Sequence, residues 1–138
     1  MTGTGERTAR CGCGGLTVTT RGEPTGVYAC SCLVCQRKSG ATFTYSAIFA
    51  ETDVTVMGER RAWRHLGDSG RWIESEFCPT CGGTVCFRSE GMPGLMGVPV
   101  GCFGDPDFAP PAMLFWGTRR HRWLALPDHV AALDTQPG

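Results

Sequence analysis

The sequence predicts a mainly β domain assembled around bound metal. Three observations point there. Glycine and proline make up 29 of the 138 residues (20 and 9), which favours many turns and short strands over long helices. Apolar, β-branched and aromatic residues fall in short alternating runs separated by turn signals. Nine cysteines are present, seven of them in three tight groups. The length suits one domain, read as a loose lead-in over residues 1–9, a single β domain over 10–133 and a tail over 134–138.

The elements follow in order. Leu16–Thr20 alternates and stops at Arg21-Gly22; Gly26–Ala29 is brief and runs into Cys30. Thr42–Phe49 is aromatic and β-branched, and Asp53–Met57 follows a polar break. Arg61–Leu66 and Arg71–Phe77 flank Gly67-Asp68-Ser69-Gly70, a loop suited to a hairpin. Thr84–Arg88, Leu95–Phe103, Met113–Trp116 and His121–Leu126 complete the predicted strands. The only helix candidates are a turn near Val34–Ser39 and Pro127–Leu133, where Pro127 and Asp128 suit a helix start, so at most a short C-terminal helix is expected. The apolar residues suffice for a modest core, so cross-links would help it.

Thirteen basic residues balance thirteen acidic ones, which argues against a broad nucleic-acid or anionic-membrane surface. No apolar run approaches membrane-spanning length, and Met1 to Arg10 lacks the apolar core of a signal peptide. The expectation is a cytoplasmic protein. An odd cysteine count in a reducing compartment points to metal over disulfides.

The cysteine groups carry the chemistry. Cys11-Gly12-Cys13 is followed by Gly14-Gly15, and Cys78-Pro79-Thr80-Cys81 by Gly82-Gly83. Cysteines one or two residues apart on a tight turn present two sulfurs to one ion, and the glycines let backbone amides face the thiolates. Two such knuckles make one four-cysteine zinc site, Cys11, Cys13, Cys78 and Cys81, a structural cross-link. The middle group, Cys30, Cys32 and Cys35, supplies only three sulfurs. Two readings stay open at this point: an open site with room for water or substrate, or a closed one finished by Cys86 or Cys102.

The order of motifs resembles a known family. Cys-x-Cys-Gly-Gly comes first, then Cys-x-Cys-x-x-Cys with Arg37, Lys38, Ser39, Gly40 and Ala41 behind it. Phe-Cys-Pro-x-Cys-Gly, a Pro-rich turn and an aromatic block ending in Arg122 to Leu124 follow. This is the order seen in the glutathione-dependent formaldehyde-activating enzymes, whose domain is shared with the centromere protein V group, and the likeness covers about residues 10–130. It implies an Mss4-like β fold, a structural zinc on Cys11, Cys13, Cys78 and Cys81, and a second zinc on Cys30, Cys32 and Cys35. It also implies glutathione as partner of that second zinc, with carbon–sulfur lyase chemistry on S-hydroxymethylglutathione. Ser31 stands where many relatives carry His, Gly101–Pro106 lacks one acidic residue of the family pattern, and Leu114-Phe115-Trp116 replaces a His-Ile-aromatic triplet.

The remaining residues divide by context. Cys86, in a strand, reads as a buried hydrophobe, and Cys102 as buried with a ligand role as the alternative. His65 alternates with Arg64 and Leu66 and reads as a packed or surface histidine; His121 and His129 read as solvated. Arg37 and Lys38 are candidates for binding substrate carboxylates, with a solvated pair as the alternative, and Tyr45 is a weak candidate proton donor. The function expected is a zinc enzyme joining a small thiol to a small aldehyde at Cys30, Cys32 and Cys35, the second zinc held weakly and substoichiometrically. The alternative is a non-catalytic, zinc-stabilised binding module.

Overall fold

The computed structural model describes residues 5–137. The chain runs β1 (Glu6–Arg10), β2 (Thr17–Arg21), β3 (Gly26–Cys30), α1 (Leu33–Ser39), β4 (Thr44–Ala50), β5 (Val54–Met57), β6 (Arg61–Leu66) and β7 (Trp72–Phe77). It continues through β8 (Thr84–Ser89), β9 (Leu95–Pro99), β10 (Met113–Phe115) and β11 (Ala131–Ala132). Three strands form an antiparallel sheet in the order β1-β2-β5, and eight form a larger one, β11-β10-β3-β4-β9-β8-β7-β6. The fold is mainly β, as the turn-rich composition predicts. Most neighbours are antiparallel, but β10 pairs in parallel with both β3 and β11.

The main core lies between the two sheets. Ala9 and Val18 from the small sheet meet Ala47, Phe49, Val85, Met96 and Val98 from the large one. Alternation along β4 explains the division of labour: Ala47 and Phe49 face this core, while Thr44, Ser46 and Ile48 line a cavity on the opposite face. On β8 a register shift leaves Val85 as an extra residue between the pairs Phe77–Thr84 and Glu76–Cys86. This bulge buries Val85 and Cys86 side by side in the core and turns Phe87 onto the cavity face. Phe87 lies flat over Gly97, where any side chain would collide with its ring.

The large sheet is strongly curled. Between β3 and β6 lie five strand spacings, about 24 Å if flat. Yet Asp68, at the tip of the β6–β7 hairpin, accepts a hydrogen bond from the Leu33 amide at 3.2 Å, just beyond β3. The same carboxylate takes Arg119 at 2.9 Å. The hairpin therefore arches back over the cavity towards α1.

Locally, the structure differs from the expected elements. Glu6–Ala9 of the expected lead-in is strand, paired residue for residue with β2; the expected residues 1–4 lie outside the described residues. The C-terminal helix over Pro127–Leu133 does not form: Pro127 opens a turn closed by the Val130 amide at 3.0 Å, and Ala131–Ala132 joins the sheet. So short an isolated helix is marginal, whereas the ladder bonds from Ala131 to Ala112 and Leu133 to Leu114 are made. The strand predicted over Leu95–Phe103 ends at Pro99 and gives way to a 3₁₀ turn closed by Gly104. His121–Leu126 is turn and irregular chain, with the Leu124 amide bonded back to His121. In the expected tail, Thr135 accepts from the Trp116 amide and Gln136 from the Trp116 indole, both tied down.

Candidate metal centres and the cavity between them

The first cysteine cluster is built by two similar turns. After β1, the Gly14 amide bonds back to Cys11 at 3.0 Å and the Leu16 amide donates to the Cys11 sulfur at 3.3 Å. After β7, the Gly82 amide bonds back to Cys78 at 2.8 Å and the Thr80 amide donates to the Cys78 sulfur at 3.4 Å. The turns bring the Sγ atoms of Cys11, Cys13, Cys78 and Cys81 within 4.8 Å of one another. The Cys11–Cys13 and Cys13–Cys78 separations are both 3.7 Å. A tetrahedron of about 2.3 Å zinc–sulfur bonds has edges of about 3.8 Å, so the donor set fits that ion. Cys11 and Cys78 are buried, Cys13 and Cys81 exposed. Burial raises the Cys11 pKa, but the Leu16 amide and the other sulfurs outweigh it and bring the thiol down to about 6.

The second cluster sits where β3 meets α1. Cys30 is the last residue of β3, Cys32 is the N-cap of α1 and accepts from the Cys35 amide at 3.3 Å, and Cys35 lies in the first turn. Their three sulfurs also lie within 4.8 Å of one another. Gly40, at φ 72, ends the helix and returns its amide to Gln36 at 2.8 Å. Hydrogen bonds from Cys30 and Cys32, with Thr44 and the Lys38 charge assisting, push the Cys35 thiol down to about 3, while the neighbouring sulfurs push Cys30 far up. Ser31 between these cysteines is buried, its amide bonded to Phe115 at 3.0 Å.

Neither leftover cysteine joins this cluster. Cys86 is fully buried and its thiol faces Glu76 Oε2 at 3.6 Å. Cys102 donates to the Thr84 carbonyl at 3.4 Å and lies near enough to Cys11 and Cys81 for their charges to raise its pKa, after burial. Among the described residues, the three-sulfur group has no fourth Cys, His or carboxylate donor in range.

The three sulfurs open onto a cavity of about 780 Å³, of the size usual for small-molecule sites. Much of the wall is aromatic or aliphatic: Tyr28, Phe43, Phe87, Phe115, Ile73 and Met92 line it. Lys38 lines it too. The residue is exposed, but its ammonium stands in the concavity, where the surrounding atoms push its pKa down against the pull of Cys35. Arg37 is exposed and is not among the lining residues. Tyr45 lines the cavity, but its hydroxyl donates to the Ala109 carbonyl. His121 shares a 3.0 Å hydrogen bond with Gln36, which also donates to Ser31 and Arg119, strapping α1 to the C-terminal segment.

His65, which reads from the sequence as a packed or surface histidine, also lines the cavity. Its place on β6 opposite Ile73 faces the cavity, and its ring stacks on Trp63 with centroids 4.0 Å apart. The Trp63–His65 alternation assigned both to one face of the strand. Which sheet face that was, and how far the sheet curls, lay in the non-sequential strand order.

The comparisons agree with this architecture. A crystal structure of a Rhodobacter sphaeroides protein, solved as a structural-genomics target, matches with a TM-score of 0.56 and 20% identity over 75% of this chain and 91% of that one. That likeness is one of fold. No curated protein matches the sequence. The model of the glutathione-dependent formaldehyde-activating enzyme family matches residues 6–119, from β1 through Arg119 and across both cysteine clusters. With that span covered, the chain belongs to the glutathione-dependent formaldehyde-activating enzyme family.

Proposed function

We propose that the protein is a zinc-dependent carbon–sulfur lyase that joins a small thiol, glutathione or a close relative, to a small aldehyde and reverses that step. The observation that most supports this is the position of Cys30, Cys32 and Cys35. Three sulfurs converge at the wall of a roomy cavity while Cys86 and Cys102 are engaged elsewhere. Three thiolates fit zinc and leave a tetrahedral corner open. A zinc ion held there supplies the Lewis acidity that keeps an incoming thiol deprotonated at neutral pH.

The chain's own residues do the rest. The β3 end and the α1 cap fix the three sulfurs, and Lys38 presents an ammonium to a carboxylate of the thiol substrate. Arg37, one residue earlier and exposed, extends that charge outside the cavity. The aromatic wall of Phe43, Phe87 and Phe115 keeps bulk water from the reacting carbon. The four-cysteine cluster serves as a structural zinc site, tying the β1–β2 turn to the β7–β8 turn.

The deciding experiment is zinc per chain, with X-ray absorption at the zinc edge before and after glutathione is added. The expected result is one tightly held zinc and a substoichiometric second whose occupancy rises with glutathione, because thiol and metal bind jointly. A second zinc with four protein sulfurs from the outset, indifferent to glutathione, would favour a binding module without chemistry.

A further inference from the structure

We propose that His65 is a catalytic residue whose ring N–H holds the aldehyde oxygen while the carbon–sulfur bond forms. The inference rests on the thiol–aldehyde reading above and adds a second pole to that site: sulfur at Cys30, Cys32 and Cys35, oxygen at His65.

Both His65 ring nitrogens are buried, and neither reaches a hydrogen-bond partner of ordinary geometry among the described residues; the Leu66 backbone and the Cys32 charge favour its charged form, outweighed by burial and the Lys38 charge. Buried polar groups left unpaired are costly and rare. Two other buried side chains share this condition, Thr20 and Ser75, but neither lines the cavity. His65 does, on the wall that the β6–β7 hairpin brings round, and near enough to the cluster that charges on Lys38 and Cys32 both bear on its ring. The ring lines a cavity that holds a thiolate cluster, and a rotation of that ring would present its unpartnered donor to a ligand oxygen.

Competing groups are committed elsewhere. The Tyr45 hydroxyl is on Ala109, and the Asp68 carboxylate is on Leu33 and Arg119. Lys38 stands exposed, where a carboxylate of the thiol would meet it. Burial, then the Lys38 charge, hold the His65 ring towards its neutral form, which keeps one N–H to donate.

The step balances without an oxidant. The sulfur lone pair makes the C–S bond, and the C=O π pair moves onto oxygen, where the His65 N–H stabilises the developing charge. Oxygen then takes a proton from solvent, matching the one the thiol released. In reverse, the hydroxyl loses its proton, the C–O π bond re-forms and the C–S pair returns to sulfur.

The test uses the zinc-loaded chain with glutathione and formaldehyde, following exchange by NMR. His65→Phe keeps a ring to stack on Trp63 but has no N–H; His65→Gln keeps an N–H donor. His65→Phe is expected to lose roughly 10²–10³-fold in kcat, as for removal of an oxyanion donor. The KM for glutathione and the melting temperature should stay near those of the unsubstituted chain. His65→Gln should recover much of that loss. As a readout besides activity, the ¹⁵N resonances of the His65 ring should move on adding glutathione with formaldehyde but not glutathione alone. Full kcat in a folded His65→Phe variant, or ring resonances indifferent to formaldehyde, overturns the inference alone. Absence of exchange in the unsubstituted chain overturns the inference together with the functional reading.

Discussion

Cys81→Ser is the most informative single change, because geometry separates its metal contribution from its packing contribution. Cys11 and Cys78 are buried, so replacing either also disturbs the core; Cys81 is exposed, and serine there leaves no cavity. What is lost is the cross-link. The cluster joins Cys13 to Cys78, 65 residues apart. Closing a loop of that length removes unfolded-state entropy equivalent to about 4 kcal/mol at 25 °C in the chain-entropy account of cross-links. Spread over the unfolding entropy of a chain this size, that corresponds to a fall of about 15 °C in Tm. The assay is calorimetric melting of both proteins with a moderate chelator present, alongside zinc per chain by elemental analysis. One zinc per chain should be lost. A variant with full zinc and a Tm within about 3 °C of the parent, under 1 kcal/mol, would refute the structural zinc assignment.

Cys86→Ala should leave zinc per chain unchanged and cost about 1–2 kcal/mol for the small cavity and the lost thiol contact to Glu76; loss of a zinc would make it a ligand. Glu76→Gln should be more damaging, about 2–4 kcal/mol by urea titration, because the mostly buried Glu76 carboxylate bridges Arg60 at 2.7 Å and Arg88 at 3.0 Å; the partly exposed arginines place the value towards the low end. A variant as stable as the parent would show that the bridge contributes nothing. Lys38→Ala should raise the KM for glutathione about tenfold, the worth of one charge-assisted bond, with kcat little changed. An unchanged KM would remove Lys38 from the thiol-binding site.

Both sulfur clusters were legible in the sequence because their chemistry is local: each pair or triple spans six residues or fewer, and the Gly-Gly turns announce the bends. That the two knuckles meet was also readable, from their like flanks. The C-terminal segment was misread because Pro127 and Asp128 suit a helix start, while its actual partners, Ala112 and Leu114, belong to a parallel edge that no short-range signal marks. Val85 and Cys86 broke the alternation because the bulge depends on register across β7. That His65 lines the cavity was hidden for a related reason. Its neighbours in the sequence are strand residues with no chemistry, and the cluster on the same cavity is assembled five strands away in the sheet order.

The parallel pairing of β10 with β3 has a consequence for how the protein is made. Phe115 stands opposite Cys30, and its carbonyl takes the amide of Ser31 inside the Cys-x-Cys-x-x-Cys run. Cys35 leaves the ribosome about 80 residues ahead of Phe115. At translation rates of about 5–20 residues per second, that is an interval of about 4–16 s. Throughout it, three closely spaced thiols are on a nascent chain without the strand that walls them in. Acquisition of metal during synthesis, before β10 arrives, would shield those sulfurs from oxidation to a disulfide. A ribosome-bound chain stalled before residue 113 is the species in which early metal capture can be caught.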